Sequence, residues 1–338
     1  MKHVKRNSII IFAVTFLVLF FVLKDNFSEV VSSLLRMDYR YLLIAFLLYF
    51  LYLFFHTLVN YYWVNDKEKL SLKHAFVHMI ITQFFNGITP FSSGGQPMEV
   101  YMLKQHGFRT TRATNIIMQN FVVYQVALVI VGLFAVFYNA STGILQNNNL
   151  LRSLLLIGFI VNTIVAVVLL LLAISKRFTH TIMRFLVFIC DKLKLIKDKE
   201  KTKEKWEERL LDFHQYTKEI TKKKGLFVMG VVLNILALIC FYLIPFFLVC
   251  SLHDFSSLSI MASLVGSAYV LIIGAFVPIP GATGGIEYGF YEIFGNFLPS
   301  GELSAVMLIW RFITYYFGMI LGAILFNVHQ GKRGAKKE

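Results

Sequence analysis

Apolar runs long enough to cross a bilayer recur along the whole chain, and two of the stretches between them are broken by Pro and Gly at matching places. The full runs fall at 8–23, 41–63, 116–138, 154–175, 226–250 and 303–328. A helix needs about 20 apolar residues to cross the hydrocarbon core. Hydrophobic residues make up 57% of the 338 and mean hydropathy is +0.66, well above the soluble norm. Phe (34) and Tyr (16) suit lipid-facing and interfacial surfaces. The chain therefore reads as a membrane protein, and charge, cysteines and breaks have to be interpreted in that setting.

The first run follows Lys2, Lys5 and Arg6 and so has the outline of a signal peptide. Lys24-Asp25-Asn26-Phe27 is no small-residue cleavage site, so the expectation is a retained first span. Cys190, Cys240 and Cys250 form no CxxC pair and do not cluster with His; they read as packing residues, with no disulfide, metal or other cofactor expected.

Net charge is +14, and its placement decides orientation. With the N-terminus inside, the internal segments 1–7, 64–75, 98–115, 176–224 and 329–338 hold 28 of the 33 Lys and Arg residues. The external segments 24–40 and 139–153 hold only Lys24, Arg36, Arg40 and Arg152, and Arg311 lies within a span. This is the positive-inside pattern, with both termini cytoplasmic. It makes residues 72–107 start and end inside, and residues 257–301 start and end outside. Each half then reads as span, re-entrant hairpin, span, over 41–138 and 225–328. The halves enter from opposite faces as an inverted repeat. The reading in which each dip is two ordinary spans keeps the same end topology.

Residues 176–224 carry 15 Lys/Arg and 8 Asp/Glu and read as a cytoplasmic insert. Phe178, Ile182, Phe185, Leu186, Ile189 and Leu193 share one helical face, suited to an interface with anionic inner-leaflet lipid. Trp206, Leu210, Phe213 and Ile220 suggest a second amphipathic helix. The plain alternative is a solvated helical loop.

The broken segments read Pro90-Phe91-Ser92-Ser93-Gly94-Gly95-Gln96-Pro97-Met98-Glu99 and Pro280-Gly281-Ala282-Thr283-Gly284-Gly285-Ile286-Glu287. A helix break at membrane depth frees backbone groups that only protein or a wet cavity can satisfy. With Pro97 at the first helical position, Gln96 becomes the cap and Glu99 the third residue; with Gly284 as cap, Glu287 takes the same place. Both returning helices would aim free N–H groups at the bilayer centre, where a phosphate binds well. The two glutamates fit capping, proton coupling, a cationic headgroup or pairing with Arg311. Arg311 itself costs roughly 2.5–3.5 kcal/mol at a helix centre, so it needs a partner or a cavity. A fixed pair with Glu287 or Glu99 and a contact to lipid phosphate both satisfy it.

Asn86, Gln119, Asn120, Asn162 and Asn234 read as interhelical hydrogen-bonding groups. His56 and His78 read as packed or interfacial histidines, with a proton relay as the alternative, and Pro245 as a kink. No nucleotide loop, zinc helix motif or hydrolase elbow is present in the sequence.

The stretch from Asn86 to Tyr101, with Pro278 to Glu287 and Trp310-Arg311-Phe312, resembles the flippase-like membrane region of bacterial lysylphosphatidylglycerol synthases, over nearly the whole chain. The apolar runs, the charge placement and the breaks together predict an all-α polytopic membrane protein of about six full transmembrane helices plus two re-entrant helical hairpins. The resemblance implies a part in moving a phospholipid, such as aminoacylated phosphatidylglycerol, or a lipid-linked glycan carrier between leaflets of a bacterial plasma membrane. Full-length members add a tRNA-dependent aminoacyltransferase domain, whereas this sequence ends about ten residues after its last run. Translocation is therefore expected ahead of phosphatidylglycerol lysyltransferase activity, which would bring in tRNA and act alone or with a separate catalytic subunit. The expected binding residues are Pro90, Ser92, Ser93, Gly94, Gly95, Gln96, Glu99, Pro280, Gly281, Thr283, Gly284, Gly285, Glu287 and Arg311. Homo-oligomerisation and a cytoplasmic enzyme, such as a glycosyltransferase docked on the insert, are the partner expectations.

Overall fold

The computed structural model describes residues 27–65, 69–145, 149–175, 223–275 and 277–334, with Arg177, Phe178 and Thr181. The run at 8–23 and most of the insert at 176–224 lie outside them. Among the described residues the regular elements are all helical. They are α1 (Phe27–Arg36), α2 (Tyr39–Val64), α3 (Leu72–Gly87), α4 (Gly95–Gln105), α5 (Thr110–Thr142), α6 (Asn149–Ile174), α7 (Lys224–Tyr242), α8 (Ile244–Cys250), α9 (Ile260–Gly274), α10 (Gly285–Phe294), α11 (Ser300–Arg311) and α12 (Gly318–Gly334).

Four helical stretches are long and apolar enough to cross a membrane: Tyr39–Val64, Thr110–Thr142, Lys224–Cys250 and Ser300–His329. They correspond to four of the six runs; α6 covers a fifth. These helices are apolar around most of their circumference, as expected where one side packs on protein and the other meets lipid. Thus Leu53 and Val59 of α2 are buried while Leu43 and Leu47 of the same helix are exposed.

The α2 helix and the α7–α8 stretch run antiparallel. The backbone N–H of Asp38, at the start of α2, donates to Ser251 at the end of α8 (2.7 Å). At the other end Gly230, near the start of α7, packs on Val59 and Trp63 of α2. The halves also exchange partners, because α3 lies along α12 and α9 lies along α5. Both α3 and α9 open on a serine, Ser71 and Ser259, whose hydroxyls accept from His74 N (3.3 Å) and Ala262 N (3.1 Å). The pairs α3–α4 and α9–α10 each fold back on themselves, and their turns meet.

Pro245 breaks the fifth run as its sequence requires, between α7 and α8. The Tyr242 carbonyl at the break accepts from Ser263 Oγ (2.7 Å) and Ser267 Oγ (3.1 Å). Phe246 N–H donates to the same Ser263 hydroxyl (3.1 Å). One side chain of α9 thus satisfies both halves of the kink. Cys240 and Cys250 are free thiols.

Candidate functional site between the hairpin turns

Both turns use the same backbone. After Pro90, Phe91 and Ser92 take φ of 53° and 51°; after Pro280, Gly281 and Ala282 take 67° and 51°. Two successive left-handed residues reverse the chain through a short 3₁₀ turn, Pro90–Ser92 or Pro280–Ala282. The conformation costs an L-residue roughly 1–2 kcal/mol, so its recurrence on Phe, Ser and Ala marks a geometry imposed by the surroundings. The following glycine pairs admit no side chain at their second member. A Cβ on Gly95 would strike Asn86 Oδ1, and one on Gly285 would strike Val277 Cγ2.

The returning helices begin at Gly95 and Gly285, with Gly94 and Gly284 as caps. For the second hairpin this is the cap read from sequence, and Glu287 is the third helical residue. In the first, the expected Gln96 cap is displaced by two residues, so Glu99 is the fifth residue. The cause is local: Thr89 Oγ1 accepts from Gly94 N (2.8 Å) and Asn86 Oδ1 accepts from Gly95 N (2.9 Å), which starts the helix earlier. Pro97 then sits third in the first turn, where its missing N–H costs nothing.

In the second turn Glu287 performs the capping. Its Oε2 accepts from Gly284 N (2.6 Å), and its Oε1 lies 2.7 Å from Arg311 Nε. Arg311 Nη2 donates to the Gly281 carbonyl (3.0 Å), and its guanidinium lies over the Tyr315 ring, 4.8 Å from the centroid. Both members of the ion pair are buried, each about 5% exposed, so each needs the other. Tyr315 O–H donates to the carbonyl of Gly87, the last residue of α3 (2.9 Å). Arg311 and Tyr315 therefore join the two turns through one helix. A π-helical segment at Phe312–Phe317 follows Arg311.

Between the turns lies a cavity of about 670 Å³. Of the expected binding residues, Ser92, Ser93, Gln96, Glu99, Gly281 and Arg311 line it. Pro90, Gly94, Gly95, Pro280, Thr283, Gly284, Gly285 and Glu287 shape the turns without lining it. Glu99 does not reach Arg311 as an ion-pair partner: its Oε1 accepts from Asn60 Nδ2 of α2. Asn86, Asn120, Asn162 and Asn234 also face the cavity, and Gln125 Nε2 donates to Asn162 Oδ1 (3.3 Å), tying α5 to α6. His56 is stacked edge-on with Tyr52 (4.7 Å) and lies 5.5 Å from Tyr124. His78, by contrast, packs outside the cavity against His106, 4.8 Å between rings.

The sequence reading missed Tyr52, Asn60, Tyr124 and Tyr315 as lining residues. A signal for them was present. Tyr52, His56 and Asn60 recur every fourth residue within an apolar run, as do Asn120 and Tyr124, and Arg311 and Tyr315; such a stripe marks one inward face.

A helical membrane protein with several apolar spans, and with two helix breaks whose turns meet beside a cavity, is the class these features define. Residues 8–322 match the model of the lysylphosphatidylglycerol synthase TM region, and the chain belongs to that family. It is also similar to a UPF0104 membrane protein of Archaeoglobus fulgidus, 25% identical over 321 residues, covering 90% of this chain and 92% of the relative.

Proposed function

We propose that the chain is a lipid translocator of the bacterial plasma membrane, carrying a phospholipid or a lipid-linked glycan carrier between leaflets. The observation that supports this most is the cavity where the two interrupted hairpins meet, with Ser92, Ser93, Gln96, Glu99 and Arg311 among its lining residues. In this reading the chain crosses the membrane six times, with both termini cytoplasmic, and α3–α4 and α9–α10 are re-entrant hairpins entering from opposite faces. The antiparallel course of α2 against α7–α8 agrees with that arrangement.

The headgroup occupies the cavity while its acyl or prenyl tail stays in lipid. Arg311 is held by Glu287 and Gly281, and a guanidinium has five N–H donors, which leaves some for a headgroup phosphate. Ser92, Ser93 and Gln96 supply hydroxyl and amide groups, and opening on alternate sides of the hairpin contact exposes the cavity to each leaflet in turn. The experiment is a leaflet assay in liposomes with fluorescent phosphatidylglycerol and fluorescent lipid-linked sugar. Purified protein is expected to accelerate movement of at least one; failure with all candidates refutes the reading. A folded Arg311→Ala variant that moves lipid at the wild-type rate removes Arg311 from the site.

A further inference from the structure

Three charged side chains are placed at or beside the cavity, and they are not equivalent. Arg311 and Glu287 neutralise each other at 2.7 Å, and Glu287's other oxygen is taken by Gly284 N–H. Glu99 has an uncharged partner, Asn60 Nδ2. Among the described residues, the titratable groups facing the cavity around it are Tyr52 and His56 from α2, Tyr124 from α5, Tyr242 from α7, and Arg311 and Tyr315 across the space. The cation among them, Arg311, is committed to Glu287. From α3 the cavity receives Thr82, Gln83 and Asn86, which do not titrate.

The neighbouring polar atoms fit a carboxyl that changes state. An ionised Glu99 only accepts hydrogen bonds, and Asn60 Nδ2 gives it one. On the same residue Asn60 Oδ1 is buried with no partner, as are His56 Nε2 and both amide atoms of Asn120. A protonated Glu99 carries one O–H, and the acceptors without a partner on the same cavity lining include Asn60 Oδ1 and, in the tautomer protonated on Nδ1, His56 Nε2. Donors for one state and acceptors for the other thus line the same cavity. Glu287 has no such freedom, because a proton on it would strand the buried Arg311. A lone ionised carboxyl in a low-dielectric site is costly until a proton or a small cation joins it.

We propose that Glu99 is a proton-carrying group of the transport cycle: it takes a proton when the cavity faces one side and releases it to the other, coupling lipid movement to proton movement. This rests on the translocation reading. The test reconstitutes the full chain in liposomes with fluorescent phosphatidylglycerol and a transmembrane gradient of about one pH unit. One proton per lipid then concentrates the label in one leaflet about tenfold. Glu99→Gln, read against its own gradient-free rate, is expected to lose that asymmetry.

An even distribution in the wild type under the gradient overturns proton coupling while translocation stands. A response retained by Glu99→Gln overturns the assignment to Glu99. Asymmetry driven by sodium and indifferent to pH assigns the carboxyl to a metal cation and likewise overturns the proposal. If the wild-type protein moves no lipid, the translocation reading fails on its own, and infrared difference spectroscopy decides the proton site. A protonated-carboxyl band that titrates with pH and is missing from Glu99→Gln supports the proton site; its absence from the wild type overturns it.

Discussion

At the first turn the amides freed by the break go to neutral acceptors, Thr89 and Asn86, both supplied by the chain just before them. At the second the freed amide of Gly284 goes to Glu287, a charged acceptor supplied by the helix that follows. The backbone path is shared, with left-handed residues directly after the proline in each. The chemistry of closure is not. Neutral capping at the first turn leaves its own carboxyl, Glu99, free to face the cavity. Charged capping at the second needs a cation behind it, and Arg311 is consumed in that role. Two turns with one backbone path are therefore closed differently: the second by a buried ion pair, the first by neutral groups, with its carboxyl at the cavity.

The largest effect expected from breaking this contrast comes at the second turn. Arg311→Ala leaves Glu287 buried without its cation, a change that costs about 3–5 kcal/mol. Thermal unfolding in detergent should show a large loss of stability. Glu287→Gln combined with Arg311→Met should recover most of it, because removing both charges also removes both desolvation costs. A double mutant as unstable as the sum of the singles would show that the pair is not the reason for the burial.

Next come the glycines that let each turn close. Gly95→Ala and Gly285→Ala force a methyl into Asn86 and Val277 respectively, and overpacking of this kind costs about 1–3 kcal/mol. Gly95→Ala should be the worse of the two, since the atom it strikes is also the acceptor for Gly95 N–H. Protease accessibility at the turns provides the comparison. Asn86→Ala tests the capping alone and should cost about 1 kcal/mol, the usual worth of a lost cap. It has no counterpart in the second turn, where the equivalent work belongs to Glu287.

Much of this was legible in the sequence where a single local rule decides. The Pro-to-Gly-Gly spacing gave the two turns, Gly284 as cap followed from Glu287 three residues later, and Pro245 marked its kink. A buried Arg311 had to find a carboxyl or a cavity, and it has both. The shift in the first cap was not legible from Pro97, because the deciding groups, Asn86 and Thr89, act across the turn. Nor did sequence choose between Glu99 and Glu287 as Arg311's partner, since that depends on which turn α11 lies against. Asn60 was overlooked because one amide in a long apolar run of α2 reads as tolerated polarity until its spacing from His56 and Tyr52 is counted.

The smallest expected effect is the sharpest test of the contrast, because the two glutamates should respond to the same substitution in different ways. Glu287→Gln removes the charge that Arg311 requires and should destabilise by several kcal/mol, of the order given above for a broken buried pair. Glu99→Gln removes a carboxyl that has no ion-pair partner among the described residues, and the new amide oxygen can still accept from Asn60 Nδ2. Its cost should lie within about 1 kcal/mol of zero, the net worth of one neutral hydrogen bond, and a slight gain is consistent with the same argument. Parallel unfolding curves of the two variants in one detergent measure the difference. Equal losses would mean that Glu99 is a structural partner like Glu287, and that the first turn does not leave its carboxyl free.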